Sequence, residues 1–331
     1  MTRSNLFKTA ACLLVVALFC PAVNLLIAAE EEAEDPVLQM VVELLGNEDR
    51  DMRALGLQQV REDLPGEEAT KKLVAMLVKL SPDVQPSLIE ALGERGDAAA
   101  RPAILEMLKS EQPAVRTAAL VALGGLGTPA EVPLLAEKAA SGTDAERDAA
   151  RRGLISLRGE GVNQAVAAAM ADADAALKVE LIKALALRNA TESLPKVLEA
   201  AKDADPAVRS AGLEALRFLA GAENAAAIVD VLKAAKQADQ IRKAELALLA
   251  VANRDRQKTA EAAIAGLADA QPASRVSLLR VLARSGGKKA LAAVVEQSKS
   301  DDDSVADEAV RMLSVWSDAE AAEHLVDIAK N

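Results

Sequence analysis

Among residue types suited to proton transfer, nucleophilic attack or metal binding, the 331-residue chain holds one histidine, His324, and two cysteines, Cys12 and Cys20. General-base and nucleophilic arrangements mostly need such a group beside a partner. His324 has no neighbour of catalytic type in sequence, and Trp316 is the only tryptophan. Asp301, Asp302 and Asp303 are consecutive. A calcium loop alternates its ligands and turns on a glycine, so this run reads instead as the cap of a helix starting near Asp303. The 50 acidic residues offer many carboxylate pairs, and nothing selects one. No catalytic residue, metal site or cofactor is expected.

What the sequence does arrange is positive charge at a fixed interval. The windows from Gln112 (QPAVRTAALVALGGLG), Asp205 (DPAVRSAGLEALRFLAG) and Gln271 (QPASRVSLLRVLARSGG) share a polar residue, Pro, two residues, Arg, then Leu and Gly. Anchored on that Arg, the equivalent positions are Arg53, Gln85, Arg116, Arg147, Lys178, Arg209, Arg242, Arg275 and Ala306. Their spacing of 31 to 33 residues marks nine repeats. A cation near a helix start opposes the helix dipole, so the column Arg53, Arg116, Arg147, Lys178, Arg209, Arg242 and Arg275 needs partners. It is expected to form a structural ladder with carboxylate or capping side chains such as Asp49, Asp174 or Asp205. An anion-binding ridge is the alternative.

Each anchor sits in a helix whose start and end are legible. Four residues earlier stand Asp49, Ser81, Gln112, Thr143, Asp174, Asp205, Ala238, Gln271 and Asp302, most of them able to cap a helix. Pro82, Pro113, Pro206 and Pro272 fit the first turn, while Gly96, Gly127, Gly161, Gly221 and Gly286 read as stops. Between these helices lie amphipathic segments such as PAILEMLKS from Pro102 and AAIVDVLKAAK from Ala226. Each repeat is therefore two antiparallel helices of about 10–14 residues, and stacking must bury their apolar stripes. The last segment, AEAAEHLVDIAKN, is an extra first helix that caps the array or marks a chain stopping in mid-repeat.

Composition agrees with an all-α fold. Half the residues are hydrophobic (51%) but only 1% are aromatic, so Ala, Leu and Val must fill thin helical layers. Residues 1–29, MTRSNLFKTAACLLVVALFCPAVNLLIAA, have the positive start, apolar middle and small-residue end of a signal peptide, and an acidic linker, 30–35, follows. Export to a periplasm or the extracellular space is expected, with cleavage after Ala28 or Ala29. An uncleaved anchor is the alternative, although Pro21 and Asn24 interrupt the apolar stretch. Both cysteines leave with this segment, excluding disulfides and thiolate chemistry in the mature chain. What remains has 37 basic and 50 acidic residues, a net −13, contrary to what nucleic-acid binding requires. No membrane contact is expected after cleavage.

From residue 36 to 331 the chain resembles HEAT-repeat proteins, specifically the short PBS-lyase HEAT-like repeats, on its DPAVRSAGLEAL-type windows. The resemblance implies a right-handed α-solenoid of about nine helix–turn–helix repeats plus one C-terminal helix, with second helices lining a concave face that binds protein segments. Some members are enzymes. Deoxyhypusine hydroxylase binds iron through repeated His-Glu pairs, which one histidine cannot supply. A bilin-lyase-like or tetrapyrrole-carrying role is disfavoured by the scarcity of aromatics, and a docking module of a larger enzyme is a further alternative.

On a concave face the position five residues after the anchor matters. It reads Gln58, Glu90, Val121, Arg152, Lys183, Glu214, Ala247, Arg280 and Arg311. Arg152, Lys183, Arg280 and Arg311 reverse the local sign of an acidic protein and are the candidate contacts for an acidic protein segment.

Overall fold

The computed structural model describes residues 36–330 other than 63, 65 and 318. The expected signal peptide and acidic linker lie outside the described residues. These form nineteen α-helices with short 3-10 turns and no strand, and none of the helices is long and apolar enough to cross a membrane. The chain divides into two compact units, 1–64 and 65–331.

The first unit holds one helical pair, α1 (Pro36–Leu45) and α2 (Arg50–Glu62). Leu38, Val41 and Leu45 of α1 and Val60 of α2 are buried, the one-sided stripe that helical spacing of apolar residues dictates.

The second unit stacks eight more pairs. They are α3 (Glu67–Leu77) with α4 (Gln85–Arg95), α5 (Arg101–Met107) with α6 (Pro113–Leu126), α7 (Val132–Ser141) with α8 (Asp144–Ser156), and α9 (Val162–Ala169) with α10 (Ala175–Leu187). There follow α11 (Leu194–Ala200) with α12 (Pro206–Leu219), α13 (Ala225–Ala234) with α14 (Ala238–Ala252), α15 (Arg256–Leu267) with α16 (Pro272–Ser285), and α17 (Lys288–Gln297) with α18 (Asp303–Ser314). A single helix, α19 (Glu320–Lys330), packs on α18. Second helices lie against second helices, α4 on α6, α6 on α8, and α10 through α12, α14 and α16 to α18. The result is an α-solenoid, and every anchor position falls on a second helix.

Its core is aliphatic. Leu88, Leu92, Leu120, Leu123 and Leu154 are fully buried, and among the described residues no aromatic ring is buried. Thin layers require close backbone approach. At Gly93 an added Cβ would lie 2.6 Å from Ala122 Cα, and at Gly153 2.4 Å from the Leu120 carbonyl oxygen. Only glycine lets α4, α6 and α8 sit this near one another.

The caps differ from the sequence expectation in ways the chemistry explains. Thr143, Asp174, Asp205 and Asp302 accept backbone N–H groups of the helices they precede. Helix α4 starts at Gln85 behind Val84 rather than after Ser81, and Pro86 takes its first turn. Gln237, not Ala238, stands before α14, and it makes no side-chain cap bond. Gly96, Gly127 and Gly286 end helices as expected. Gly161 and Gly221 do not: each precedes the helical turn that follows it. First helices α5 and α11 have only 7 residues, each behind a three-residue 3-10 turn.

Candidate protein-binding face

Three of the seven anchor cations are held by backbone carbonyls. Arg53 Nη1 donates to the Asn47 and Glu48 carbonyls at 2.8 and 2.7 Å. Arg116 Nη1 donates to those of Ser110 and Glu111 at 2.8 and 3.1 Å. Arg209 does the same to Asp203 and Ala204. These carbonyls follow the first helix of the same repeat, where helix-end acceptors lack intrahelical donors and the dipole is negative. The expected pairing with Asp49, Asp174 and Asp205 is therefore corrected: Asp49 accepts from Asp51 N at 2.7 Å, and the other two cap their own helices. Carboxylate partners occur elsewhere in the column. Arg116 reaches Glu146 at 2.6 Å, Arg147 reaches Asp144 at 2.5 Å, and Lys178 faces Asp203 at 3.6 Å. Arg242 is exposed and Arg275 half-buried, the latter with a buried Nε that finds no acceptor among the described residues.

A second row of charge lies along the second helices, and it consumes most of the candidate contact residues. Glu180, Glu245 and Glu308 are buried. Arg151 Nε and Lys183 Nζ donate to Glu180 at 2.7 and 3.1 Å. Arg280 spans two repeats, from Glu308 at 2.7 Å to Glu245 at 3.3 Å, and Arg311 adds a bond to Glu308 at 2.6 Å. Burial pushes Glu180 and Glu308 up, but hydrogen bonds from these cations outweigh it and hold both below the ordinary carboxylate range. Lys183, Arg280 and Arg311 are thus bound to internal carboxylates, a correction to the reading of all four cations as a free basic face. A Glu at the second or third position after the anchor faces the neighbouring helix, so its charge draws the cations inward.

Arg152 is different. It is exposed, and neither its side chain nor that of Arg158 has an ion pair or hydrogen bond among the described residues. Both line a cleft of about 400 Å³ across α4, α6 and α8. Glu90 and Glu94 of α4 stand at its other end, and Val121, Gly124 and Gly125 of α6 lie between. Gly124 and Gly125 are packed against the neighbouring helices, where an added Cβ would run into Ser156 Oγ and the Gly93 carbonyl oxygen.

The cleft continues in register onto an apolar ledge. Ser156 of α8 lies nine residues after its anchor, as do Leu187 of α10 and Phe218 of α12. Leu187 is 63% exposed and Phe218 55%. Arg188, beside Leu187, donates from Nη1 to the carbonyls of Leu154, Ile155 and Leu157 at 3.0, 2.7 and 2.8 Å. It fastens the end of α10 to the end of α8, next to Arg158, and replaces the glycine stop expected there.

Residues 70–155 match the family model for HEAT repeats. That stretch runs from α3 into α8 and includes most of the cleft. No curated protein matches the chain. Among solved structures, the chain is similar to an engineered protein at 18% identity, covering 88% of this chain and 92% of that one with a TM-score of 0.36. It is similar to human deoxyhypusine hydroxylase in complex with glycerol at 18% identity, 84% and 95% coverage and a TM-score of 0.32. The karyopherin Kap121p bound to the SUMO protease Ulp1p gives 13% identity and a TM-score of 0.48, covering 84% of this chain and 36% of that one.

The residues of conspicuous type lie elsewhere in the helical array. His324 is half-buried on α19, and Trp316 is half-buried just after α18. Asp302 accepts from Ser304 N and Val305 N at 3.0 and 3.2 Å, so the aspartate run caps α18 as expected. Among the described residues no group of three His, Cys, Asp or Glu is placed to hold a metal ion.

Proposed function

We propose that this chain is an exported, non-catalytic HEAT-repeat scaffold that holds a protein segment against its second helices. The observation that carries the reading is the cleft across α4, α6 and α8. Arg152 and Arg158 stand unpaired in it, while the neighbouring row satisfies its cations internally. In a protein of net charge −11, two free guanidinium groups in one cleft make a local site for an acidic group on a partner. Export rests on the N-terminal sequence, whose positive start, apolar middle and small-residue end precede the repeats.

The test is affinity capture from the exported fraction of the source organism, run with the native protein and with Arg152→Glu/Arg158→Glu. Mass spectrometry identifies proteins and absorbance detects a bound chromophore. A protein retained by the native chain and lost by the double variant supports the scaffold. A chromophore or small molecule retained without protein overturns it in favour of a ligand carrier. N-terminal sequencing of the mature protein checks export, with Glu30 or Ala29 expected as the first residue.

A further inference from the structure

Resting on that reading, we infer the chemistry of the segment: an extended peptide carrying a basic residue, then an acidic residue, then two apolar side chains, at intervals set by the repeat. The face offers these complements in one order. Glu90 lies on α4, Arg152 and Arg158 at α8, Leu187 on α10 and Phe218 on α12. Between the two charged ends the cleft is lined by Val121, Gly124 and Gly125 of α6.

The spacing follows from the packing. Adjacent packed helices are about 8–10 Å apart, and an extended chain advances about 3.3 Å per residue. Each repeat therefore takes roughly three residues of ligand. From α4 to α8 is two repeats, so the basic and acidic residues stand about six apart. One apolar residue follows about three further on, against Leu187, and the other about three beyond it, against Phe218. Isolated exposed apolar side chains are ordinary. Leu187 and Phe218 are not isolated, since they share the register of Ser156 in the cleft and Arg188 ties the first of them to the end of α8 beside Arg158. Aromatic and arginine side chains are also the types that carry binding energy at interfaces.

The probe is a fluorescent peptide of about thirteen residues with Lys, Asp, Leu and Phe at these intervals and Gly, Ser or Ala elsewhere, made in both chain senses. Anisotropy is compared with that of a scrambled peptide of equal composition. One sense is expected to bind the exported form of the protein about tenfold more tightly than the scramble. Arg152→Glu/Arg158→Glu should abolish the preference, and a probe with Lys in place of Asp should recover binding to that variant. Recovery requires a folded protein, so it separates lost contact from lost structure. Leu187→Ser and Phe218→Ser should each weaken the matched probe and leave the scramble unchanged.

Equal binding of matched and scrambled probes overturns the inference. So does a concentration-dependent dimer that Leu187→Ser/Phe218→Ser dissociates, which would assign the ledge to a second copy of the chain. Selection from an unbiased peptide display library separates this failure from failure of the scaffold. Recovered peptides lacking the pattern overturn the inference and leave the scaffold standing. Recovery of no peptide, with no protein captured from the exported fraction, overturns both.

Discussion

Arg151 on α8 grips Glu180 on α10 with two hydrogen bonds, Nε to Oε2 at 2.7 Å and Nη2 to Oε1 at 2.9 Å. Glu180 is 7% exposed, so it depends on its cations to remain ionised. Arg151→Met leaves it with Lys183 alone. Removing one partner of a fully buried pair costs about 3–5 kcal/mol, but the Arg151 side chain is 38% exposed, and solvent screens what it contributes. A loss of about 1–2 kcal/mol is expected, read as a lower urea midpoint with unchanged slope. An unchanged midpoint would show that this pair does not hold α8 to α10.

Acid should expose a neighbouring pair. Arg116 holds the Glu146 carboxyl at about 2, well below the ordinary 4.5, and the Thr143 backbone N–H adds to this. The folded value lies below the unfolded one, so Glu146 stabilises the fold fully above pH 4.5 and that contribution is lost as pH falls toward about 2. Glu131, Glu180 and Glu308 shift in the same direction. Far-ultraviolet circular dichroism should therefore show an acid transition below pH 4.5. Arg116→Gln should move it to higher pH, and a transition unmoved by that change would remove Arg116 as the cause.

The repeat, its period and its helix pairs were legible because they depend on local rules: apolar spacing, capping side chains, proline at a first turn. Asp302 and Thr143 show how far such rules reach, since each caps the helix predicted for it. The face was less legible because it depends on which neighbour each charge meets. Lys183, Arg280 and Arg311 share a register with Arg152, yet a buried glutamate three residues before Lys183 and before Arg311 binds each of them. Glu180 and Glu308 could have been read as partners from that i, i+3 spacing. Arg188 and Arg254 had no such signal. Their acceptors are carbonyls of the preceding second helix and the segment after it, 31 to 36 residues away. Phe218, one of only three phenylalanines, was visible as a type, but its exposure was not.

Helix separation across the cleft should respond to single methyl groups. In Gly153→Ala the new Cβ meets the Leu120 carbonyl oxygen at 2.4 Å, and in Gly93→Ala it meets Ala122 Cα at 2.6 Å. Both obstacles are backbone and cannot rotate away, so the helices must part. Overpacking of this kind costs about 1–3 kcal/mol. Thermal unfolding should show each variant destabilised, against the usual gain when alanine replaces an unconstrained helical glycine. A raised melting temperature in either variant would mean that α6 and its neighbours do not need this approach.

Arg188 joins stability to the binding face. Its Nη1 serves three carbonyls at the end of α8, and its Nε donates to Asn163 Oδ1 at 2.7 Å. Arg188→Met keeps the aliphatic stem and removes every donor. Unsatisfied buried acceptors cost about 1–3 kcal/mol each, but these carbonyls sit at a helix end that can open to water, so a total near the lower part of that range is expected. The opening should be local. Hydrogen exchange should quicken at residues 154–161 and in the first turn of α9, with the far end of α8 little changed. Arg158 hangs from this segment and Leu187 adjoins Arg188, so the matched peptide should also lose affinity. Arg188→Lys, a point donor without the planar fork, should recover only part of either effect. Uniform acceleration of exchange across all the repeats would make Arg188 a general stabiliser rather than the clasp between α8 and α10.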